Sequence, residues 1–222
     1  MSIQDTGAKV RVARERTMES IHQAAIAEFS EKGFQGATTQ GIALRAGMKK
    51  TQLHYYIAGK EELYEELLQK VLKVWADIIQ FDPTLSEPAA VLSRYIRNKM
   101  HFSFEQPELS RIFTSEVLSG GHYLHKYWPQ ATANIINKEN LINAWIDRGE
   151  IRALDARLLI MHIWAVTQYY ADFAVQVKHM YRDTADCDTR EHIINEVTTL
   201  ILNGCQSAPP PAKGEVGRGY GK

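Results

Sequence analysis

The chain has 222 residues, 45% of them hydrophobic and 23% charged, enough to bury a sizeable core in one or two domains. Lysine plus arginine and aspartate plus glutamate both number 26, so the formal net charge is zero and no global attraction to nucleic acid follows. Cys187 and Cys205 are too few for a disulfide framework and are not in metal-ligand spacing. With no N-terminal signal peptide and no apolar run long enough to span a bilayer, a cytoplasmic location is expected.

Residues 1–8 are small and polar and are expected to be disordered. A first helix is predicted from about Lys9 to Lys32, because Met18, Ile21, Ala25 and Phe29 recur at helical spacing and Gly33 follows. Arg11, Arg14 and Arg16 precede that buried face and are either phosphate contacts or solvated charges. Residues 1–60 carry nine lysines and arginines against five acids, a net of +4, which leaves −4 for the rest. A basic front on an acidic body agrees with DNA contact confined to the N-terminus, though an ordinary uneven surface gives a similar split.

The segment from residue 38 to 63 is the most informative. Thr39 is placed to cap a short helix whose buried face is Ile42, Ala43 and Ala46. Gly47 stops it, since glycine enters the left-handed conformation without steric cost. A second short helix is predicted from Lys49 to Tyr56, with Leu53 inward and Met48 plugging the corner. Its outward face carries Lys49, Lys50, Gln52 and Tyr55, with His54 and Tyr56 at the edges, and Thr51 joins them in the predicted DNA-contact set. Lysines answer phosphate charge, glutamine can read adenine, and aromatic rings pack on thymine methyls or bond phosphates. Thr39 and Lys60 complete the predicted DNA-contact set. Two lysines and a glycine turn by themselves also suit a polar helix of an ordinary bundle.

Helix four is predicted from Lys60 through Leu63, Leu67, Val71, Val74, Trp75 and Ile78, long enough to leave the first domain and act as a lever. After Pro83 the pattern stays helical. Pro88 opens a helix to about Phe104, and Pro107 opens a shorter one with Leu109, Ile112, Phe113 and Val117, broken by Gly120 and Gly121. Another runs to about Arg148, disturbed by Pro129 and closed by Gly149. Asp155 caps a strongly apolar helix through about His179, and Asp188 or Thr189 caps the last one, which ends at Gly204. The tail 207–222 is rich in proline and glycine and is expected to be disordered. No strand alternation or internal repeat is present, and an all-α fold is predicted.

A helix as apolar as 155–179 must be nearly encircled by protein. Its polar members Thr167, Gln168, Tyr169, Tyr170 and Asp172 then need hydrogen-bond partners. Trp164 and Gln168 share a face. An indole wall beside a carboxamide suits a flat, uncharged, amide-like heterocycle; a packed core helix with Gln168 bonded to protein suits the spacing equally. His122 and His125 are the one histidine pair at helical spacing, with no obvious third ligand, so no metal and no cofactor are expected. Glu116, His162 and Asp172 could be assembled into an acid–base site, but no phosphate loop, nucleophile elbow or Cys–His signature supports an enzyme.

The series Phe29, Gly33-Phe34, Thr38-Thr39, Ile42-Ala43, Ala46-Gly47, Leu53, Tyr55-Tyr56, Lys60-Glu61 and Leu63 resembles the DNA-binding domain of the TetR family of transcriptional regulators. Ile57 departs from the family's usual aromatic, and Ala58-Gly59 replaces a serine that would cap the next helix. The stretch 162–177, and the body more loosely, is similar to the RutR-type subgroup of that family, which senses pyrimidine bases and controls pyrimidine degradation. The resemblance implies a helix-turn-helix domain over 9–59 and a ligand-binding and dimerisation domain over 60–206. It implies pocket residues at Trp75, Trp164 and Gln168, with Phe113 and Tyr170 carried over beside them. It further implies a homodimer through the last two helices, with the apolar face Ile193, Val197, Leu200 and Ile201, reading a palindromic operator and released by uracil or thymine. A regulator of another ligand and an inert architectural DNA-binding protein are the alternatives. A helical enzyme built on His122 and His125 ranks below both.

Overall fold

The computed structural model describes residues 3–78, 87–181, 184 and 186–206. Among them there is no strand: α1 (Ile3–Gly36), α2 (Thr39–Arg45), α3 (Lys50–Tyr56), α4 (Lys60–Ile78), α5 (Pro88–Glu105) and α6 (Pro107–Leu118) come first. A 3-10 turn (His122–Tyr127) leads into α7 (Trp128–Asp147), α8 (Ala156–Asp172), α9 (Ala174–Tyr181) and α10 (Cys187–Cys205). Pro88, Pro107 and Pro129 all fall in the first turn of their helices, where the missing N–H has no intrahelical partner to lose. The expected break at Pro83 and the tail 207–222 lie outside the described residues.

Five boundaries differ from the sequence reading. Helix α1 begins at Ile3, so Ile3–Ala8 is helical rather than irregular; no proline interrupts Ile3–Lys9, and Gly7 costs only about 1 kcal/mol against alanine. Helix α1 is interrupted at Gly33, whose φ of 65° and ψ of 175° are not helical. Thr38, not Thr39, caps α2: its backbone is extended and its hydroxyl accepts from Gly41 N at 3.0 Å. Asp186, not Asp188 or Thr189, caps α10, accepting from Thr189 N at 2.9 Å. The single helix expected through His179 is two, because Phe173 leaves helical geometry and stacks its ring on Tyr169 at 5.0 Å.

Two hydrophobic clusters form the interior. The first joins α1, α2, α3 and α4 and includes Phe102, Leu109, Ile112 and Leu124 from the body. The second joins α5, α7, α8 and α10 around Ile96, Met100, Ile142, Trp145 and Ile163. Helix α6 packs on both α1 and α8, so it lies between the N-terminal helices and the body. The protomer does not encircle α8: Leu158, Met161 and Val166 remain exposed, as does Leu200 of α10 at 72%. Among the described residues no helix is long and apolar enough to cross a membrane.

Candidate DNA interface and ligand site

Helices α2 and α3 form a tight corner. Gly47 has φ 68°, Ala46 N donates to Ile42 O at 2.9 Å, and Met48 N donates to Ala43 O at 3.0 Å. Leu53 is fully buried, so the opposite side of α3 must face out. Lys49, Lys50, Thr51, Gln52 and His54 are exposed there, Tyr55 is 78% exposed, and Tyr56 and Thr39 are half-buried. Gln52 carries a second role the sequence did not show: its Oε1 accepts from Lys49 N at 2.9 Å and so helps to cap α3. Lys60, part of the expected DNA-contact set, is also held by protein. Its Nζ donates to Phe34 O at 2.9 Å and Ala37 O at 3.1 Å, leaving at most one of three N–H groups for an anion. The uncapped start of α4 is compensated by Glu62, whose carboxylate accepts from Ala58 N at 2.9 Å.

Under this corner lies Glu28, fully buried. It accepts from Arg45 Nε at 2.8 Å, Lys32 Nζ at 2.9 Å and Thr38 N at 3.4 Å. Burial alone would push its pKa up, but these hydrogen bonds outweigh burial and hold the carboxyl below its usual range. Arg45, counted among the basic front, is thereby tied to Glu28 and to Glu31 rather than presented to DNA.

In the body, Trp75 of α4 packs edge-on against Phe113 at 4.5 Å and Phe102 at 6.3 Å. Trp164 of α8 lies in the other cluster and donates from Nε1 to Tyr95 Oη at 2.5 Å. Tyr170 is half-buried and tilted against Phe104 at 5.3 Å. Gln168 is held by protein. Its Nε2 lies 2.9 Å from Ser110 Oγ, 3.1 Å from Thr114 Oγ1 and 2.9 Å from Asp172 Oδ1, and Ser110 donates to its Oε1 at 3.1 Å. Of the five expected pocket residues, Trp75 and Phe113 pack in the first cluster and Trp164 and Tyr170 in the second, with Gln168 bonded across the α6–α8 seam. A cavity of about 360 Å³ lies on the α7 side of Trp164, walled by Ile135, Ile136, Ile160 and Met161 with Thr132 and Arg157. Tyr127 Oη, in the aromatic cluster with Trp75, is buried with no hydrogen-bond partner among the described residues.

Residues 21–67 match the bacterial regulatory proteins of the tetR family, and residues 68–208 match the C-terminal region of YcdC-like proteins. The chain belongs to the TetR family. It is a DNA-binding transcriptional regulator of the ligand-responsive type, not an enzyme. It is 36% identical over 178 residues to the HTH-type transcriptional regulator RutR of Escherichia coli K12, covering 80% of this chain and 84% of that one. It is 26% identical over 130 residues to the HTH-type transcriptional repressor NicS of Pseudomonas putida, covering 57% and 59%. The solved ketosteroid transcriptional regulator KstR2 of Mycobacterium tuberculosis has the same fold, with a TM-score of 0.69 at 20% identity over 87% of this chain and 96% of that one. A tetR-family regulator from Rhodococcus RHA1 aligns at the same TM-score with 18% identity over 87% and 98%.

TetR regulators are dimers, and the structure redistributes the residues expected at the interface. Ile193 is buried in the protomer's own core beside Ile194, because it faces α5 rather than outward. Val197 and Ile201 are partly buried against the same core. Of the four, only Leu200 is left open; on α8 the side chains Leu158, Met161 and Val166 are exposed as well. His122 and His125 are exposed on the 3-10 turn with rings 6.4 Å apart, and no group of three metal-ligating side chains occurs among the described residues.

Sequence reasoning missed Arg111, Lys99 and Lys138. Arg111 of α6 donates to Ala171 O on α8 and to Ser30 Oγ on α1, each at 3.1 Å. Lys99 and Lys138 are 5% and 6% exposed. A signal existed for the lysines: Lys99 falls in phase with buried Leu92, Tyr95, Ile96 and Phe102, and Lys138 with buried Ile142 and Trp145.

Proposed function

We propose that this regulator binds a palindromic operator as a dimer, with two copies of α3 in successive major grooves, and is released by a small flat amide-bearing ligand, a pyrimidine base such as uracil or thymine. Genes of pyrimidine degradation would be repressed until the base accumulates. The similarity to RutR supports this reading, as does the exposed basic and aromatic face of α3. The observation that carries it is the position of Gln168. Its amide is bonded to Ser110 and Thr114 of α6, and α6 also grips α1 through Arg111. A ligand that competes for the Gln168 amide loosens α6 from α8, and the displacement reaches α1 under the reading head. Helix α6 thus joins α4 as a lever. Two reading heads bind together only at half-site spacings near the helical repeat of about 34–36 Å. A coupling of about 1–3 kcal/mol, or roughly 5- to 150-fold in affinity, suffices for a switch.

Calorimetry with uracil and thymine, paired with gel shifts on the operator, tests the reading. Binding should raise the melting temperature and weaken the operator complex by the same factor as operator weakens the ligand. Gln168→Ala should abolish the ligand response while operator binding persists, since Gln168 is far from α3 in the chain and packs in the body. Absence of binding by any pyrimidine base at millimolar concentration overturns the ligand, and leaves the regulator.

A further inference from the structure

Two ammonium groups are buried in the body without a counter-charge among the described residues. Lys99 of α5 holds Nζ 4.5 Å from the Trp75 ring centroid, and Lys138 of α7 holds Nζ 5.8 Å from the Tyr95 ring centroid. Tyr95 in turn accepts from Trp164, whose ring lines the cavity between α7 and α8. Lys99 therefore stands beside Trp75 of the proposed pocket, and Lys138 beside the tyrosine to which Trp164 donates. Among the described residues no carboxylate forms an ion pair with either lysine, while arginines and lysines elsewhere in the body do find partners, as Arg97 with Glu191 and Arg157 with Glu139.

A buried cation without a partner is costly, and two that share an enclosure repel each other as well. Burial pulls both ammonium groups down to about 8, and for Lys99 the charge of Lys138 adds to burial. Both remain largely protonated at neutral pH. Cation–π contact offsets only part of the cost, about 2 kcal/mol when desolvated. A core position needing only bulk would be better filled by leucine or methionine. Gln168, by contrast, is already saturated by protein groups. The unmet demand in this region is for negative charge.

We propose that Lys99 and Lys138 form an anion-binding subsite of the effector pocket, and that the ligand carries a carboxylate beside its amide or ureide group. The inference rests on the reading of the body as a ligand-sensing domain and changes the class of ligand from a neutral base to a small amide-bearing acid. The carboxylate lies between the two ammonium groups, and the amide end reaches toward Trp164. Pyrimidine-ring carboxylates and open-chain ureido acids share this chemistry.

The test is calorimetry on the full chain with three probes: orotate, N-carbamoyl-β-alanine and uracil. One or both of the acids should bind at least tenfold more tightly than uracil. Lys99→Met and Lys138→Met should each weaken that acid by tenfold or more and leave uracil within about threefold. Methionine keeps most of the side-chain volume and removes an unpaired buried charge, so each unliganded variant should melt at or above the wild-type temperature; either variant alone serves if the other fails to fold. Uracil binding more tightly than both acids overturns the anion subsite and keeps the base-sensing reading. Acid affinities unchanged in both lysine variants overturn it as well. An acid that binds and is lysine-dependent while uracil fails supports the subsite and refutes the neutral base. No binding of any probe refutes both.

Discussion

Arg111 on α6 donates from Nη2 to Ser30 Oγ on α1 at 3.1 Å, across 81 residues of chain. The same guanidinium holds Ala171 O at the end of α8 through Nη1, one turn beyond Gln168. It is therefore a strut with one end in the N-terminal domain and the other beside the proposed ligand site. Arg111→Met keeps the stem and removes the donors. Operator affinity without ligand should change by less than about tenfold, while the ligand-induced loss of operator affinity should shrink by 1 kcal/mol or so, the lower range of allosteric coupling. Gel-shift titrations with and without ligand measure this; a coupling factor equal to wild type would show that α6 does not transmit the signal.

Gly41 is required by Glu28. A Cβ on Gly41 would stand 2.1 Å from Glu28 Oε1, and the carboxylate cannot retreat without releasing Arg45, Lys32 and Thr38. Gly41→Ala should destabilise the protein by about 1–3 kcal/mol, the usual cost of overpacking, despite the better helix propensity of alanine. Urea denaturation gives the number. A neutral or stabilising effect would mean that α2 can shift away from α1.

The exposed face of α3 should divide into two kinds of contribution. Lys50→Ala should weaken operator binding at moderate salt and lower the salt-dependence slope by about one, as expected for one lost phosphate contact. Tyr55→Ala should weaken binding without such a change in slope, because its ring is exposed and uncharged. Gln52→Ala should relax base preference and also fray α3, by about 0.5–1 kcal/mol, since the amide helps to cap the helix. Competition with mismatched operators separates the two effects of Gln52. Equal losses on matched and mismatched sites would assign it to capping alone.

The dimer should depend on Leu200 more than on Ile193. Leu200 is 72% exposed in the protomer, whereas Ile193 already contributes to the protomer's core. Leu200→Asp should give a folded monomer with weak operator binding, because two linked half-site contacts become independent. Ile193→Ala should lower stability by about 2–5 kcal/mol with the dimer preserved wherever the protein is folded. Sedimentation at micromolar concentration checks both. A Leu200→Asp variant that remains fully dimeric would place the interface elsewhere.

Much of the architecture was legible in the chain. Apolar residues at helical spacing located nine helices, one of which the structure divides into α8 and α9, because burying one stripe is the main demand on an amphipathic helix. Gly47, Pro88 and Pro107 marked boundaries through backbone geometry that acts locally, whereas Pro129, read as a disturbance within a helix, lies in the first turn of α7. The exposed face of α3 was legible too: once Leu53 is assigned inward, helical geometry fixes which side chains point out. Misplaced caps at Thr39 and Asp188 show the limit of local reasoning, since several neighbouring residues offer the same oxygen and the winner depends on where the chain enters the helix.

What the tertiary structure alone decided is which polar groups find partners. Lys60 bonds carbonyls 26 and 23 residues away, Gln168 meets Ser110 58 residues away, and Arg111 meets Ser30 on α1. No periodicity encodes such pairs, because side-chain hydrogen bonds depend on relative helix placement and not on position along one helix. The same holds for Ile193 and Leu200, both apolar and both on α10, one buried by α5 and the other left open. Hydrophobicity determined that α10 must be covered; only the packing of α5 against it determined which face was still uncovered.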